Sequence, residues 1–204
     1  MDLKHYADIR TSKGQLKTKK NRRYKKIDSL LSKGESILDI WCADWSFYET
    51  RKHKKIKYSW IDYNNNFVEY CVKKWLDVKQ CDISKDKIPH KENSFDIIYC
   101  SHVIEHLLTN EQIYFMKEVN RVLKKWGKAI FFAPTPYHRY FRDDSTHQRP
   151  CTHWQLFWLT QDAWFKVIES KYSLINKFPQ KLQRRLRLPP LRRFLWEVYI
   201  VVKK

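Results

Sequence analysis

Short apolar runs alternate with longer amphipathic stretches along most of the chain. Blocks bounded by polar and turn residues predict strands at Ser36–Ile40, Lys57–Ile61, Val78–Gln80, Phe95–Cys100, Ala129–Ala133, Lys166–Ser170 and Val198–Lys203. Several are nearly continuous apolar runs, the pattern of a strand covered on both faces. Helical spacings recur between them. The clearest runs from Asn110 to Lys125, with Ile113, Met116, Val119 and Val122 on one face. A further helix is predicted over Lys17–Leu31, with Ile27, Leu30 and Leu31 on one side and Gly34 as its stop.

This alternation predicts an α/β fold: a Rossmann-like, seven-stranded, mostly parallel sheet with helices on both faces. Residues 1–35 read as a basic arm plus a helix, and 36–204 as one domain. The stretch 171–196, which contains KLQRRLRLPPLRR, is a basic insertion before the last strand.

In an open α/β sheet, ligands sit beyond the carboxyl ends of the strands. Asp39 lies near the end of the first strand, and Asp62, in WIDYN, closes the second. Asp82, in QCDI, follows the third, and Ser101 and His102 form the tip of the fourth. Four segments in order resemble the class I S-adenosylmethionine-dependent methyltransferases, in the small-domain group that includes ubiquinone-pathway and glycan methyltransferases. LDIWCADWSF is similar to that family's LDIGCGxGxF loop, and IPHKENSFDIIYCSHVIEHL to its approach to strand four with the EHL tip. VNRVLKKWGKAIFFAPTP is similar to its RVLKPGG turn, and DDSTHQRPCTHWQLFWLTQDAWF to the stretch that follows.

The resemblance implies S-adenosylmethionine as cofactor and methyl transfer to an acceptor, most simply a small molecule. It implies that Asp39, Trp41, Cys42, Ala43 and Trp45 lie along the methionine part, that Asp62 binds the ribose, and that Asp82 with Ile83 meets the adenine. Tyr63 is expected on the adenine ring and Ser101 near the methyl. Each aspartate is also a residue type that caps helices and starts turns. Around the methyl the resemblance places Ser101, His102, His106, Tyr137, His138, Asp143, Asp144 and His147. Of these, His102, His138 and His147 are candidate bases, since imidazole titrates near neutral pH. His102-Val-Ile-Glu105-His106 also fits the H-x-x-E-H pattern of some zinc hydrolases. Because the run falls on the strand-four tip, it is accounted for without a metal, and none is assigned.

One residue type breaks the family pattern. Trp41, Trp45, Trp60, Trp75, Trp126 and Trp164 stand where the family usually carries glycine. These are positions expected to need positive φ or close backbone approach, which a bulky residue tolerates badly. Glycine at ~7% usage would number about 14, yet the chain has 3, against 9 tryptophans. Ordinary decay leads to Ala, Ser, Asn or Asp, as at Ala43. One repeated replacement points instead to decoding: UGA codons that mean glycine, written as tryptophan. The loop would then read LDIGCADGSF. Trp154, Trp158 and Trp196 fall where the family varies and are not sorted by this argument. If Trp41 and Trp45 are real tryptophans, the enzyme is expected to be inactive.

Composition adds a rival. With 41 Lys and Arg against 22 Asp and Glu, the formal charge is +19. Such a surplus fits RNA or an anionic surface, and equally a general lysine bias. The alternative function is therefore a catalytically inactive protein of this fold that binds RNA or an anionic membrane surface through Arg184, Arg185, Arg187, Arg192 and Arg193. Five cysteines without C-x-x-C spacing, and a first segment MDLKHYADIRTSK without an apolar core, lead to a cytoplasmic protein with reduced thiols. No run is long and apolar enough to span a membrane.

Overall fold

A computed structural model describes residues 22–40, 55–73, 75–137, 141, 143–174 and 195–204. In chain order the elements are α1 (Arg22–Asp28), β1 (Ser36–Ile40), β2 (Lys57–Asp62), α2 (Asn65–Val72) and β3 (Val78–Gln80). There follow β4 (Phe95–Ser101), a 3-10 turn (Ile104–His106), α3 (Thr109–Val122), β5 (Leu123–Pro134), α4 (His153–Asp162), β6 (Lys166–Leu174) and β7 (Leu195–Lys203). The strands form one seven-stranded sheet in the order β3-β2-β1-β4-β5-β7-β6. All neighbours are parallel except β7, which runs antiparallel to both β5 and β6.

Both faces of the sheet are covered, which explains the unbroken apolar runs. Along β1, Leu38 and Ile40 join the core cluster that includes Phe115, Met116 and Val119 of α3, with Leu156 of α4. Ile37 faces the other way, into the cluster with Ile27 of α1 and Phe67 and Val68 of α2. The helices start where the local chemistry satisfies their free N–H groups. Asn64 accepts from Phe67 N (3.3 Å) to open α2. Thr152 and Gln155 form a reciprocal capping box on α4.

Some predicted boundaries move. α1 ends at Asp28, not Leu31, because Leu30 N turns back to the Ile27 carbonyl (2.8 Å). Gly34, at φ 83, therefore sits in the turn into β1 and does not stop the helix. Positions 17–21 of that predicted helix lie outside the described residues. α3 stops at Val122 because Leu123 is already extended (φ −75, ψ 134), and β5 begins there, six residues before the predicted strand. The KKWGK segment is thus a bulge inside β5, not a turn before it. Between Phe95↔Leu123 and Ile97↔Lys128, β5 spends five residues against two on β4. Gly127 belongs to this bulge: a Cβ there would lie 2.9 Å from the Lys124 carbonyl oxygen and from Leu123. β6 extends to Leu174 and β7 starts at Leu195, so the connection 175–194, which carries the basic run, lies outside the described residues.

The tryptophans divide by conformation. Trp75, after α2, has φ 60; Trp126, in the bulge, φ 71; Trp164, after α4, φ 60. Their rings are 97, 64 and 83% exposed. Trp60 is different. It is 2% exposed in regular β2 strand, its ring 4.4 Å from that of Tyr58, so in this chain it is a core residue. Trp154 and Trp158 are exposed on helical backbone of α4, and Trp196 lies in β7.

Glu169 on β6 ties the sheet to α1. Its carboxylate takes Lys26, Lys171 (2.7 Å) and the Tyr199 hydroxyl (2.7 Å). Burial pushes its carboxyl up, but these three partners outweigh burial and hold it at about 2, below the ordinary 4.5. A depressed acid contributes stability above its unfolded value, and that stability is lost as pH falls through the folded value. Wild-type protein should therefore lose about 1–3 kcal/mol between pH 4.5 and 2 that Glu169→Gln does not lose. Denaturant melts of both proteins across that range check this; parallel pH curves would refute it.

Candidate active site

The strand order changes direction between β1 and β4: the chain proceeds outward through β2 and β3 on one side, then crosses back to β4 and β5 on the other. Ligand sites of open α/β sheets lie at that switch point, beyond the carboxyl ends of the strands. The parallel register aligns Asp39 of β1 with Trp60 of β2 and Tyr99 of β4, so Ile40, Asp62 and Ser101 end close to one edge.

Two buried carboxylates stand on this edge. Asp39 accepts the Tyr58 hydroxyl at 2.6 Å, which fixes its rotamer. Asp62 is also buried, and its Oδ1 accepts the backbone N–H of Asn64 (2.8 Å) as the chain turns into α2. Tyr63 follows with its ring about half exposed. After β3, Asp82 binds locally: Oδ1 accepts from Ser84 N (3.1 Å) and Oγ (2.6 Å), and Oδ2 meets Lys85 (3.0 Å). Burial alone raises this carboxyl, but the Ser84 and Lys85 contacts outweigh it and hold it low. The Asp82 side chain is thus engaged as a turn residue. Ile83 beside it is buried. Trp41, Cys42, Ala43 and Trp45, expected along the methionine part, lie outside the described residues, as does the candidate base His138.

The tip of β4 gathers a second group of side chains. His102 takes positive φ (57) as the strand ends, with its N–H on the Phe132 carbonyl (2.9 Å). Its ring lies between two carboxylates, Nε2 at 3.2 Å from Glu197 of β7 and Nδ1 at 3.4 Å from Glu105. The following turn buries Glu105 completely, and its backbone carbonyl accepts Gln148 N (2.8 Å) and Arg149 N (3.0 Å). Those bonds bring the 144–149 segment over the tip. His147 then lies with Nε2 4.0 Å from Glu105 Oε1, its Nδ1 on the Phe141 carbonyl (2.9 Å) and its ring stacked on Phe141. His106 contacts Thr146 through the carbonyl (3.2 Å) and Oγ1 (3.0 Å). Thr146 in turn donates to Asp144 through N (2.9 Å) and Oγ1 (2.6 Å). Burial holds the His106 ring below its ordinary value despite Glu105 and Thr146, so it is neutral at pH 7. Burial also keeps Cys100 and Cys151 as thiols, reinforced by the Glu105 charge.

The structure therefore joins His102, His106 and His147 to Glu105. Glu197 is the member that sequence reasoning missed, because it stands one residue before the predicted last strand, Val198–Lys203, while β7 begins at Leu195. Among the described residues no helix is long and apolar enough to cross a membrane.

Residues 39–131 match the family described as Methyltransferase domain. Among curated proteins, the chain is 29% identical over 114 residues to "Probable methyltransferase PMT7" of Arabidopsis thaliana, covering 54% of this chain and 19% of that one. It is 28% identical over 116 residues to an uncharacterized protein of Methanocaldococcus jannaschii, covering 52% of this chain and 46% of that one. The chain thus spans less than half the length of either relative. Among solved structures, a SAM dependent methyltransferase from Archaeoglobus fulgidus superposes with TM-score 0.75 at 18% identity, covering 100% of both chains. One from Mesorhizobium loti gives TM-score 0.70 at 12% identity, covering 93% of this chain and 100% of that one. The [4+2]-cyclase SpnF shares the architecture too, with TM-score 0.66, 14% identity and coverage of 90% and 80%. Strand order, switch-point carboxylates and these likenesses agree: the chain has the fold of the class I S-adenosylmethionine-dependent methyltransferases.

Proposed function

We propose that this chain binds S-adenosylmethionine and transfers its methyl group to a small-molecule acceptor. The observation that carries this is Asp62: a buried carboxylate closing β2 beside the switch point, anchored through one oxygen by Asn64 N. A carboxylate is the acceptor that suits a pair of ribose hydroxyls. When bound, the cofactor supplies a methyl on a sulfonium, open to in-line displacement. The chain's part is orientation and exclusion of water. The loop at Asp39–Trp45 borders the methionine end. Asp62 holds the ribose, Tyr63 packs on the adenine, and Ile83 with the backbone at Asp82 lines its edge. Ser101 and the β4 tip face the methyl. Among the candidate bases, His147 donates its Nδ1–H to the Phe141 carbonyl and turns Nε2 toward Asp144 (3.7 Å) and Glu105 (4.0 Å). His102 sits between Glu105 and Glu197, and His138 completes the candidate set.

The membership of the group with ubiquinone-pathway and glycan methyltransferases, and a cytoplasmic setting, belong to the same proposal. Free buried thiols at Cys71, Cys81, Cys100 and Cys151 support the latter. The reading that UGA codons meaning glycine underlie the tryptophans at 41, 45, 60, 75, 126 and 164 is a further part of the proposal. Its support is the left-handed backbone of Trp75, Trp126 and Trp164, a conformation that glycine adopts without strain.

Because one fold hosts many reactions, the net charge of +19 sustains the rival reading, an inactive protein that binds RNA. Calorimetric titration separates them. Chain carrying glycine at the six positions should bind S-adenosylmethionine, with RNA binding that is weak and lost as salt rises. Folded protein that binds no cofactor yet holds RNA at raised salt would overturn the methyltransferase reading.

A further inference from the structure

We propose that Glu105, His106 and His147 form a binding site for a divalent first-row transition-metal ion. One ligand atom from each of the three lies within 4.8 Å of the others, a spacing that a single ion bridges. The carboxylate is the first argument. Glu105 is 0% exposed, and neither of its oxygens accepts a hydrogen bond among the described residues. A carboxylate withdrawn from water without such bonds costs several kcal/mol, and a bound cation is the partner that removes this cost.

The imidazoles are the second argument. His147 places Nδ1 on the Phe141 carbonyl, and His106 places Nδ1 on the Thr146 carbonyl. A ring that donates through Nδ1 to a carbonyl carries its lone pair on Nε2, the arrangement in which metal-bound histidines are held by their surroundings. Asp144 secures this layer by accepting both donors of Thr146. His102 stands at the rim, Nδ1 3.4 Å from Glu105 and Nε2 3.2 Å from Glu197, placed to serve as a fourth ligand or to orient Glu105. Two imidazoles with one carboxylate match zinc, manganese or iron(II), whereas magnesium and calcium prefer oxygen donors throughout. The sequence motif contained two of the three ligands. The H-x-x-E-H run supplies Glu105 and His106, but His147 arrives through the fold, 41 positions further on.

On the methyl-transfer reading, on which this role rests, the ion stands beside the acceptor. A three-ligand site leaves positions open for an acceptor oxygen, which on a cation gives its proton to water more readily; the oxygen then takes the methyl as the sulfonium S–CH3 bond breaks, and the thioether leaves. The acceptor class is then a molecule with a metal-binding hydroxyl.

The test is a titration of the chelator-treated chain, residues 1–204, with Zn2+, Mn2+ and, for comparison, Mg2+, read by calorimetry and thermal melting. His147→Ala and Glu105→Gln are titrated alongside, with circular dichroism to check folding. Co2+ substitution adds a visible spectrum that reports nitrogen ligation. Wild type should bind one equivalent of Zn2+ or Mn2+ with a raised melting temperature, and Mg2+ far more weakly. Folded His147→Ala should lose ~100-fold or more in affinity, since losing even an outer-shell partner of a ligand costs ~10–100-fold. No ion bound by wild type, or equal binding by wild type, His147→Ala and Glu105→Gln, would overturn the site. Cofactor binding in the same preparation is scored separately, so the ion can fail while the methyltransferase reading stands, and the reverse.

Discussion

Replacing Trp75, Trp126 and Trp164 together with glycine should raise the thermal midpoint by about 3–10 °C. All three hold left-handed backbone, where a Cβ meets the following carbonyl oxygen at about 1–2 kcal/mol per residue. Their rings point into solvent, so truncation empties no core. Against the relief stands the greater freedom of glycine in the unfolded chain, roughly 0.5–1 kcal/mol at each site. Trp126 has a further offset, because the Lys203 ammonium lies 4.4 Å and that of Lys125 5.3 Å from its ring. Such contacts are worth about 0.5–1 kcal/mol when exposed, so Trp126 should give the smallest gain. The net is about 1–3 kcal/mol. Trp154 and Trp158 provide the control, since they are comparably exposed but sit on helical backbone of α4. Glycine there should cost about 0.5 kcal/mol each, the difference in helix propensity between tryptophan and glycine. If the two sets respond alike, residue type and not backbone conformation governs the effect. The gene supplies an independent check: UGG codons at Trp41 and Trp45 would end the recoding reading.

Asp62→Ala should weaken S-adenosylmethionine binding by about 10–100-fold, the loss expected when hydrogen bonds to a charged acceptor disappear. Fold stability should change much less. The substitution leaves Asn64 N without its acceptor, yet also removes a buried charge. Asp62→Asn separates the two contributions. It keeps an oxygen for Asn64 N but brings no anion to the ribose, so its affinity should fall between wild type and alanine. Calorimetry in the background with glycine at the six positions measures all three. Unchanged affinity in Asp62→Ala would remove the ribose role.

The sheet was legible in the sequence because its signal is local. A parallel strand covered on both faces must be apolar almost throughout, as in SILDI and FDIIYC, and each such run became a strand. Boundaries were less legible where backbone geometry competes with propensity. Nothing in RVLKKWGKAIFF announces that Leu123 is already extended, since the β5 bulge is settled by pairing with β4. Asp39 and Asp62 were found at strand ends by spacing alone, and the structure supplies what holds them, Tyr58 and Asn64. Asp82 was read by the same spacing, yet its side chain is taken up by Ser84 and Lys85.

The tryptophans mark the border between the two kinds of information. The resemblance to a family that carries glycine at those positions, together with the low glycine count, made six of them improbable. Which were strained depended on φ: Trp75, Trp126 and Trp164 are, while Trp60 fills core space against Tyr58. The amino-acid order by itself determined the α/β alternation and the carboxylates at the strand ends, because periodicity and turn chemistry act over a few residues. Only the tertiary structure decided that the Glu105 carboxylate is buried without a hydrogen bond among the described residues, and that His147 and His102 flank it with Glu197 on the far nitrogen of His102. Those residues come from a strand tip, a distant loop and the last strand, and only the closing of the sheet and the bonds from Gln148 and Arg149 to the Glu105 carbonyl bring them within reach of one another.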